Sequence, residues 1–301
     1  MQQDAIIIGG GFAGLSAAYI LARARRHVTI IDTGTPRNRF AARSHGVLGH
    51  DGKSGGEILS EARAQLLAYP TVTFIDGEVD SAAGAIDDFH VSIDGHGTIA
   101  TRRLLLASGI EDRLPDIPGL RERWGKTVLH CPYCHGYEIG GGPIGVLATH
   151  PMSAHQAAVV ADWGTVTLFT NGMPEPDEAT LALLERRGVS LQPGAVSVIE
   201  TGTCDMQRVR LENGRTFDVK ALFVAADLHI RGTIAENLGC AMEDSAAGKI
   251  LTTDAIKATS IPGVYAAGDI ARAFGNITLV SADGVMAGLG MHQSLMFSAR
   301  S

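Results

Sequence analysis

Cysteine is scarce in this chain: four residues among 301, at positions 131, 134, 204 and 240. A secreted disulfide scaffold needs far more, so covalent stapling does not organise this fold. A basic excess is also missing, with 25 Lys and Arg against 32 Asp and Glu and a net charge of −7. The basic residues are dispersed apart from Arg23, Arg25 and Arg26 and the pair Arg102 and Arg103. That pattern argues against a nucleic-acid partner. No apolar stretch approaches the roughly 20 residues that cross a bilayer. The opening "MQQDAIIIGGG" has neither a basic n-region nor a cleavage pattern. The expectation is a cytoplasmic protein without membrane or nucleic-acid partners. No charge block is long, and 45% of residues are hydrophobic, enough to build the core of one large or two medium domains.

Glycine is abundant, with 37 residues. It falls at strand ends, where backbone turns tightly or approaches a ligand. In "DAIIIGGGFAGLSAAYILARARRHVTIID", Ala5–Ile8 is a continuous apolar run, as in a strand buried on both faces. Gly9, Gly11 and Gly14 then fit G-x-G-x-x-G. Phe12 and Ala13 lie inside that fingerprint, and residues 13–25 carry a helical apolar pattern. Val28–Ile31 is a second apolar strand ending in Asp32. Gly9 permits the turn, Gly11 lets backbone approach a pyrophosphate, and Gly14 lets helix and strand pack closely. Asp32 can accept hydrogen bonds from a ribose diol. After it, "GTPRNRFAARSHGVLGHDG" (34–52) is long, irregular and polar, as loops beside a cofactor often are. Arg37 can balance a pyrophosphate and His45 can reach a cofactor ring, although an exposed loop histidine is the plainer reading. "FIDGEV" (74–79) reads as one strand.

Two distant segments end strands in small residues: "RRLLLASGIEDRLPDIPG" (102–119), with Gly109, and "SIPGVYAAGDIA" (260–271), with Gly268 and Asp269. Together with the fingerprint they resemble the two-dinucleotide-binding flavoproteins. The resemblance implies FAD, with Asp269 on the ribityl chain and the backbone near Val79 beside the adenine. It implies an α/β fold of two Rossmann-like domains, the second inserted in the first. The FAD-binding domain then takes 1–116 and 229–301, and the insert takes 117–228. "NITLVSADGVMAGLGMHQSL" (276–295) reads as strand residues followed by a helix. By the same resemblance the N-terminus of that helix faces the flavin, where its dipole favours negative charge.

"HCPYCHGYE" (130–138) opens three readings. C-x-x-C-H is the c-type haem attachment pattern, but no export segment accompanies it. Structural zinc needs four ligands, and Cys204 and Cys240 are isolated in sequence; no metal is expected. A redox dithiol needs only Cys131 and Cys134, and the C-x-x-C arrangement lowers one thiol's pKa toward neutrality. Over essentially all its length the chain resembles low-molecular-weight thioredoxin reductases, in which C-x-x-C lies early in the insert. That family assigns the first cysteine, here Cys131, to exchange with substrate and the second, here Cys134, to the flavin. It is typically homodimeric.

The chain departs from that family in three places. The insert's first strand should lead into a second glycine fingerprint for NADPH, but the sequence reads "LATHPMSAH", with Pro151 lacking the N–H that could cradle phosphate. The place for residues binding the 2′-phosphate reads "TNGMPEPDE", neutral and then acidic. After the second cysteine stands His135 where the family has an aspartate; a histidine suits proton transfer at neutral pH. This combination resembles the thioredoxin-reductase-like dithiol oxidases of holomycin, gliotoxin and romidepsin-type products. The resemblance implies oxidation of a small-molecule or peptide dithiol, with electrons leaving through oxygen as hydrogen peroxide. The alternatives are a thioredoxin-disulfide reductase fed by NADPH or another donor, and a redox-sensing flavoprotein that does not turn over.

Overall fold

The computed structural model describes residues 2–202, 206–246 and 248–297, so Cys204 lies outside the described residues. The chain divides into two compact units. One contains the chain up to Arg39, Gly56–Glu111 and Leu228 onward; the other contains Phe40–Gly55 and Asp112–Asp227. The loop 40–55, expected beside the cofactor of the first unit, therefore packs within the second.

The first unit begins β1 (Gln3–Ile8), α1 (Phe12–Arg23), β2 (Val28–Asp32), α2 (Gly55–Leu66), β3 (Val72–Asp76), β4 (Val79–Ala85), β5 (Asp88–Ile93), β6 (Gly97–Leu106) and β7 (Ile110–Arg113). Its main sheet runs β3-β2-β1-β6-β5-β4. β1 is parallel to both β2 and β6, with Ile7 opposite Ile30 and Leu105. "AIII" is continuously apolar because both faces are covered: Ala5 and Ile7 pack into the layer of α1, while Ile6 and Ile8 pack with Phe89 and Val91. "FIDGEV" is not one strand. β3 stops at Asp76, its pairing with β2 closing on the Gly77 N–H to Asp32 carbonyl bond at 3.0 Å, and β4 starts at Val79 to pair antiparallel with β5.

The second unit carries β8 (Val128–Leu129), α3 (Pro132–Ile139), β9 (Pro143–Leu147), α4 (Ser153–Val160), β10 (Thr165–Phe169), α5 (Glu178–Arg186), β11 (Ser190–Gln192), β12 (Val196–Thr201), β13 (Gln207–Leu211), β14 (Thr216–Val219) and β15 (Ala221–Val224). Its parallel sheet runs β11-β10-β9-β15-β8, with a separate antiparallel sheet β12-β13-β14. Ile144, Val146, Leu168 and Phe223 form its core with Ala154, Ala157 and Ala158 of α4.

The chain then adds β16 (Asp227–Ile230), α6 (Ile234–Asn237), β17 (Met242–Ser245), β18 (Gly248–Leu251), β19 (Val264–Ala266) and α7 (Ile277–Phe297). β19 completes the main sheet parallel to β6. The residues Ile277–Val280, expected to be strand-like, are the first turn of α7. The side chain of Asn276 accepts the Leu279 N–H at 2.9 Å and its carbonyl accepts Val280 N–H at 3.0 Å. That cap outweighs the β-branched composition. α7 lies against α1 through small residues: a Cβ at Gly284 would strike the backbone of Ala13, and one at Gly288 would come within 2.9 Å of the Ala17 carbonyl.

Among the described residues two charged side chains are buried in this unit: Asp283, paired with Lys257 and Arg272, and Arg103. Arg103 has no exposed surface. It donates to Asp87 Oδ1 at 2.9 Å, to Ser294 Oγ at 2.8 Å and to the Ser294 carbonyl at 2.9 Å. Burial raises the Asp87 carboxyl, but hydrogen bonds from Arg103 and Arg102 outweigh it and hold the group below its ordinary range.

Candidate functional site

In the first unit the chain turns sharply after β1. Gly9 has φ +108°, and a Cβ there would run into the carbonyl of Ala107. Only glycine fits both demands. The Gly10 N–H donates to Asp32 Oδ1 at 3.0 Å. A Cβ on Gly10 would lie 2.8 Å from Asp32 Cγ, so Gly10 must be small for the carboxylate to hold this position. The sequence reading did not single out Gly10. The signal was the middle glycine of "GGG", which the fingerprint does not require.

Gly11 is the N-cap of α1 and supplies no side-chain cap, and a Cβ there would meet nothing within 4 Å. The first bond of the helix runs from the Leu15 N–H to the Gly11 carbonyl, so the N–H groups of Phe12, Ala13 and Gly14 have no partner within the helix, as anion binding requires. Gly14 lets α1 approach β1, since a Cβ there would strike the Gly9 carbonyl.

The other expected residues converge on this turn. Gly268, with φ +84°, caps the short helix that starts at Asp269, and a Cβ there would sit 3.0 Å from that of Ala13. Asp269 Oδ2 accepts from Arg37 Nη1 at 3.2 Å, both side chains being largely buried. Gly109 follows β6, and its carbonyl accepts the Arg231 N–H at 3.4 Å. Val79 opens β4 just beyond the Gly77–Asp32 bond. Gly9, Gly11, Phe12, Ala13, Gly14, Asp32, Arg37, Gly268 and Asp269 therefore share one end of the sheet. An open helix N-terminus, a carboxylate at the strand end and a second carboxylate beside arginine fit a dinucleotide.

In the second unit, Cys131 is the N-cap of α3 and Pro132 its first residue, where a missing N–H costs nothing. A disulfide joins Cys131 to Cys134, with Cα atoms 5.3 Å apart. It closes within the first turn of α3, where the helix dipole stabilises a thiolate formed on reduction. Gly136 seats α3 on Trp163: a Cβ there would come within 2.5 Å of the indole. The Tyr133 ring meets Trp163 edge-on at 5.6 Å.

His135 is half-buried one residue beyond Cys134. Burial is the main cause that holds its imidazole below the ordinary histidine range; Glu138 opposes the shift and His45 adds to it. At neutral pH the ring is therefore uncharged and able to take a proton. It lines a cleft of about 330 Å³ with Lys126, Leu129, Glu138, Ile139, Lys220 and Ala221. The structure brings His45 to this helix, with Nδ1 3.5 Å from Glu138 Oε1 and 3.6 Å from Asp51 Oδ2. Glu138 was in view in the sequence but unassigned; its signal was the i, i+3 spacing from His135. Cys240 is a buried free thiol whose Sγ lies 3.8 Å from Thr259 Oγ1.

The turn after β9 differs physically from the turn after β1. The buried Ser153 Oγ accepts the N–H groups of Thr149 at 3.2 Å and His150 at 3.3 Å. His150 Nδ1 accepts the Met152 N–H at 3.1 Å, the His150 carbonyl accepts that of Ser153, and Ala148 N–H goes to Phe169. Pro151 has none to give. Every backbone donor from residue 148 to 153 thus has a partner, in the turn itself or, for Ala148, on β10. Where the first turn ends in open glycine backbone, the second has already committed the N–H groups of residues 148–150, 152 and 153.

Two dinucleotide-type α/β units, one with an open phosphate turn and the other with a redox disulfide, define the class: a flavoprotein disulfide oxidoreductase. The family model described as pyridine nucleotide-disulphide oxidoreductase matches residues 3–287, and the chain belongs to that family. It is 34% identical over 298 residues to thioredoxin reductase tcpT of Claviceps purpurea (strain 20.1), covering 95% of this chain and 92% of that protein. Among solved structures, an oxidoreductase from Agrobacterium tumefaciens superposes with a TM-score of 0.95 at 47% identity, covering 99% of this chain and 100% of that one. HlmI superposes with a TM-score of 0.90 at 36% identity, covering 98% and 93%. The expected fold class and the likeness to thioredoxin-reductase-like enzymes are borne out. The protein is an FAD-dependent thiol/disulfide oxidoreductase. Among the described residues no helix is long and apolar enough to cross a membrane.

Proposed function

We propose that this enzyme oxidises a small-molecule or peptide dithiol to a disulfide and that the electrons leave through oxygen. The observation that carries the reading is the second turn, where Ser153 and His150 absorb the backbone donors that a nicotinamide cofactor's pyrophosphate would need. A substrate thiolate attacks Cys131 Sγ, breaking its bond to Cys134 and releasing the Cys134 thiolate. The second substrate thiol then attacks the substrate sulfur of the mixed disulfide, releasing Cys131 and closing the substrate disulfide. His135, neutral at physiological pH, takes the thiol proton. Gly9–Gly14, Asp32, Arg37 and Asp269 would hold FAD, with Val79 and Gly109 at its margins. The chemistry FAD supplies when bound is acceptance of the electron pair and its delivery, with two protons, to oxygen as hydrogen peroxide.

A second reading has one observation in its favour: the relative from Claviceps purpurea carries the name thioredoxin reductase. The two separate cleanly. Holoenzyme with dithiothreitol in air should consume oxygen and form peroxide with no nicotinamide present, and Cys134→Ser should abolish that turnover. Rapid anaerobic bleaching of the flavin by NADPH, without dithiol, would refute the oxidase reading.

A further inference from the structure

Within the second unit, the surroundings of His135 are asymmetric. Glu138 is one turn further along α3 and lines the same cleft. Its Oε1 faces His45 Nδ1 at 3.5 Å, and the same His45 nitrogen faces Asp51 at 3.6 Å. Asp51 is 69% exposed, whereas His45 is 21% exposed. A half-buried imidazole beside the disulfide is thus followed by a carboxylate, a second imidazole and a solvent-facing carboxylate. The cations facing the cleft are Lys126, just before β8, and Lys220, just before β15. The Lys220 ammonium leans on the Ile139 carbonyl at 3.4 Å.

We propose that Glu138, held against His45 in the cleft it shares with His135, is a positioning residue that sets the affinity of the His135 ring for the thiol proton. The inference rests on the dithiol-oxidase reading for its purpose and on the cluster's geometry for its content. Oxidation of one dithiol releases two protons, and a base buried beside the disulfide must both accept and discharge them. A carboxylate alone would make His135 too basic to release its proton. His45, 3.5 Å from Glu138 Oε1, tempers it by drawing on that carboxylate. The electrostatics agree in sign, since Glu138 favours the protonated His135 ring and His45 disfavours it.

The test uses full-length holoenzyme in its oxidised form with labelled histidine, read by NMR titration, alongside the pH profile of dithiothreitol oxidation. His135→Asn assigns the resonance. Glu138→Gln should lower the His135 midpoint by about 0.5 pH unit, and the acid limb of turnover should move down with it. His45→Asn should move both upward, and Glu138→Asp should return part of the Gln effect. If Glu138→Gln slows turnover equally at every pH and leaves the midpoint unmoved, the residue is merely structural and the inference falls. A midpoint that moves without the acid limb overturns the catalytic link just as surely. If wild-type enzyme turns over no dithiol, the function proposed above fails, while the NMR midpoint still decides whether Glu138 governs the ring.

Discussion

Ser153→Ala tests the closure of the second turn directly. The Ser153 side chain is 1% exposed, and its single oxygen accepts two backbone N–H groups at 3.2 and 3.3 Å. Alanine removes the acceptor without adding bulk, leaving two donors to find water or remain unpaired. Bonds this long sit at the weak end individually, but an unsatisfied buried donor costs about 1–3 kcal/mol. A net loss of about 2 kcal/mol is expected. For a protein of this size class that corresponds to a fall in Tm of roughly 4–8 °C. The assay is thermal unfolding of the FAD-loaded protein, followed by tryptophan fluorescence, with NADPH titrated into wild type and variant. Restored NADPH binding is not expected in the variant, because Pro151 still supplies no donor. If Ser153→Ala melts at the wild-type temperature, the turn's amides were never held by Ser153. The case that they are unavailable to a phosphate would then collapse.

Two further outcomes follow from the first unit. Asp87→Asn should destabilise the protein by about 3–5 kcal/mol in urea unfolding, because it strips a charge partner from the fully buried Arg103. The folded Asp87 carboxyl is held below its ordinary value. Its contribution is therefore complete above about pH 4, the unfolded value, and is lost as pH falls through the lower folded one; the variant should lack that acid-dependent component. Gly10→Ala should displace Asp32, since the new methyl would meet three Asp32 side-chain atoms within 2.9 Å. FAD release measured by flavin fluorescence should rise about tenfold in Kd, and unchanged affinity would show that Asp32 can move without loss.

Much of this site was legible because its chemistry is local. A run of buried β-branched residues, three spaced glycines and a terminal aspartate specify strand, turn and helix within one short segment, and the geometry there follows from backbone sterics. The missing glycines of "LATHPMSAH" were equally legible. What took their place was not, since the acceptor role of Ser153 depends on the turn's tertiary path. The first turn of α7 shows the opposite failure. Ile277–Val280 has a strand-like composition, and one capping side chain on Asn276 decided the matter. Arg103 reads as a surface cation beside Arg102 until Asp87 and Ser294 are seen around it.

The sequence by itself determined the fold class, the dinucleotide turn and the identity of the redox pair, because each rests on spacing within a few residues of one element. Tertiary structure alone decided which distant groups govern them. It carried the loop 40–55 into the second unit, set His45 against Glu138, and closed the second turn on its own side chains. Those outcomes depend on charges and donors brought together from separate segments, and no local pattern encodes such a meeting.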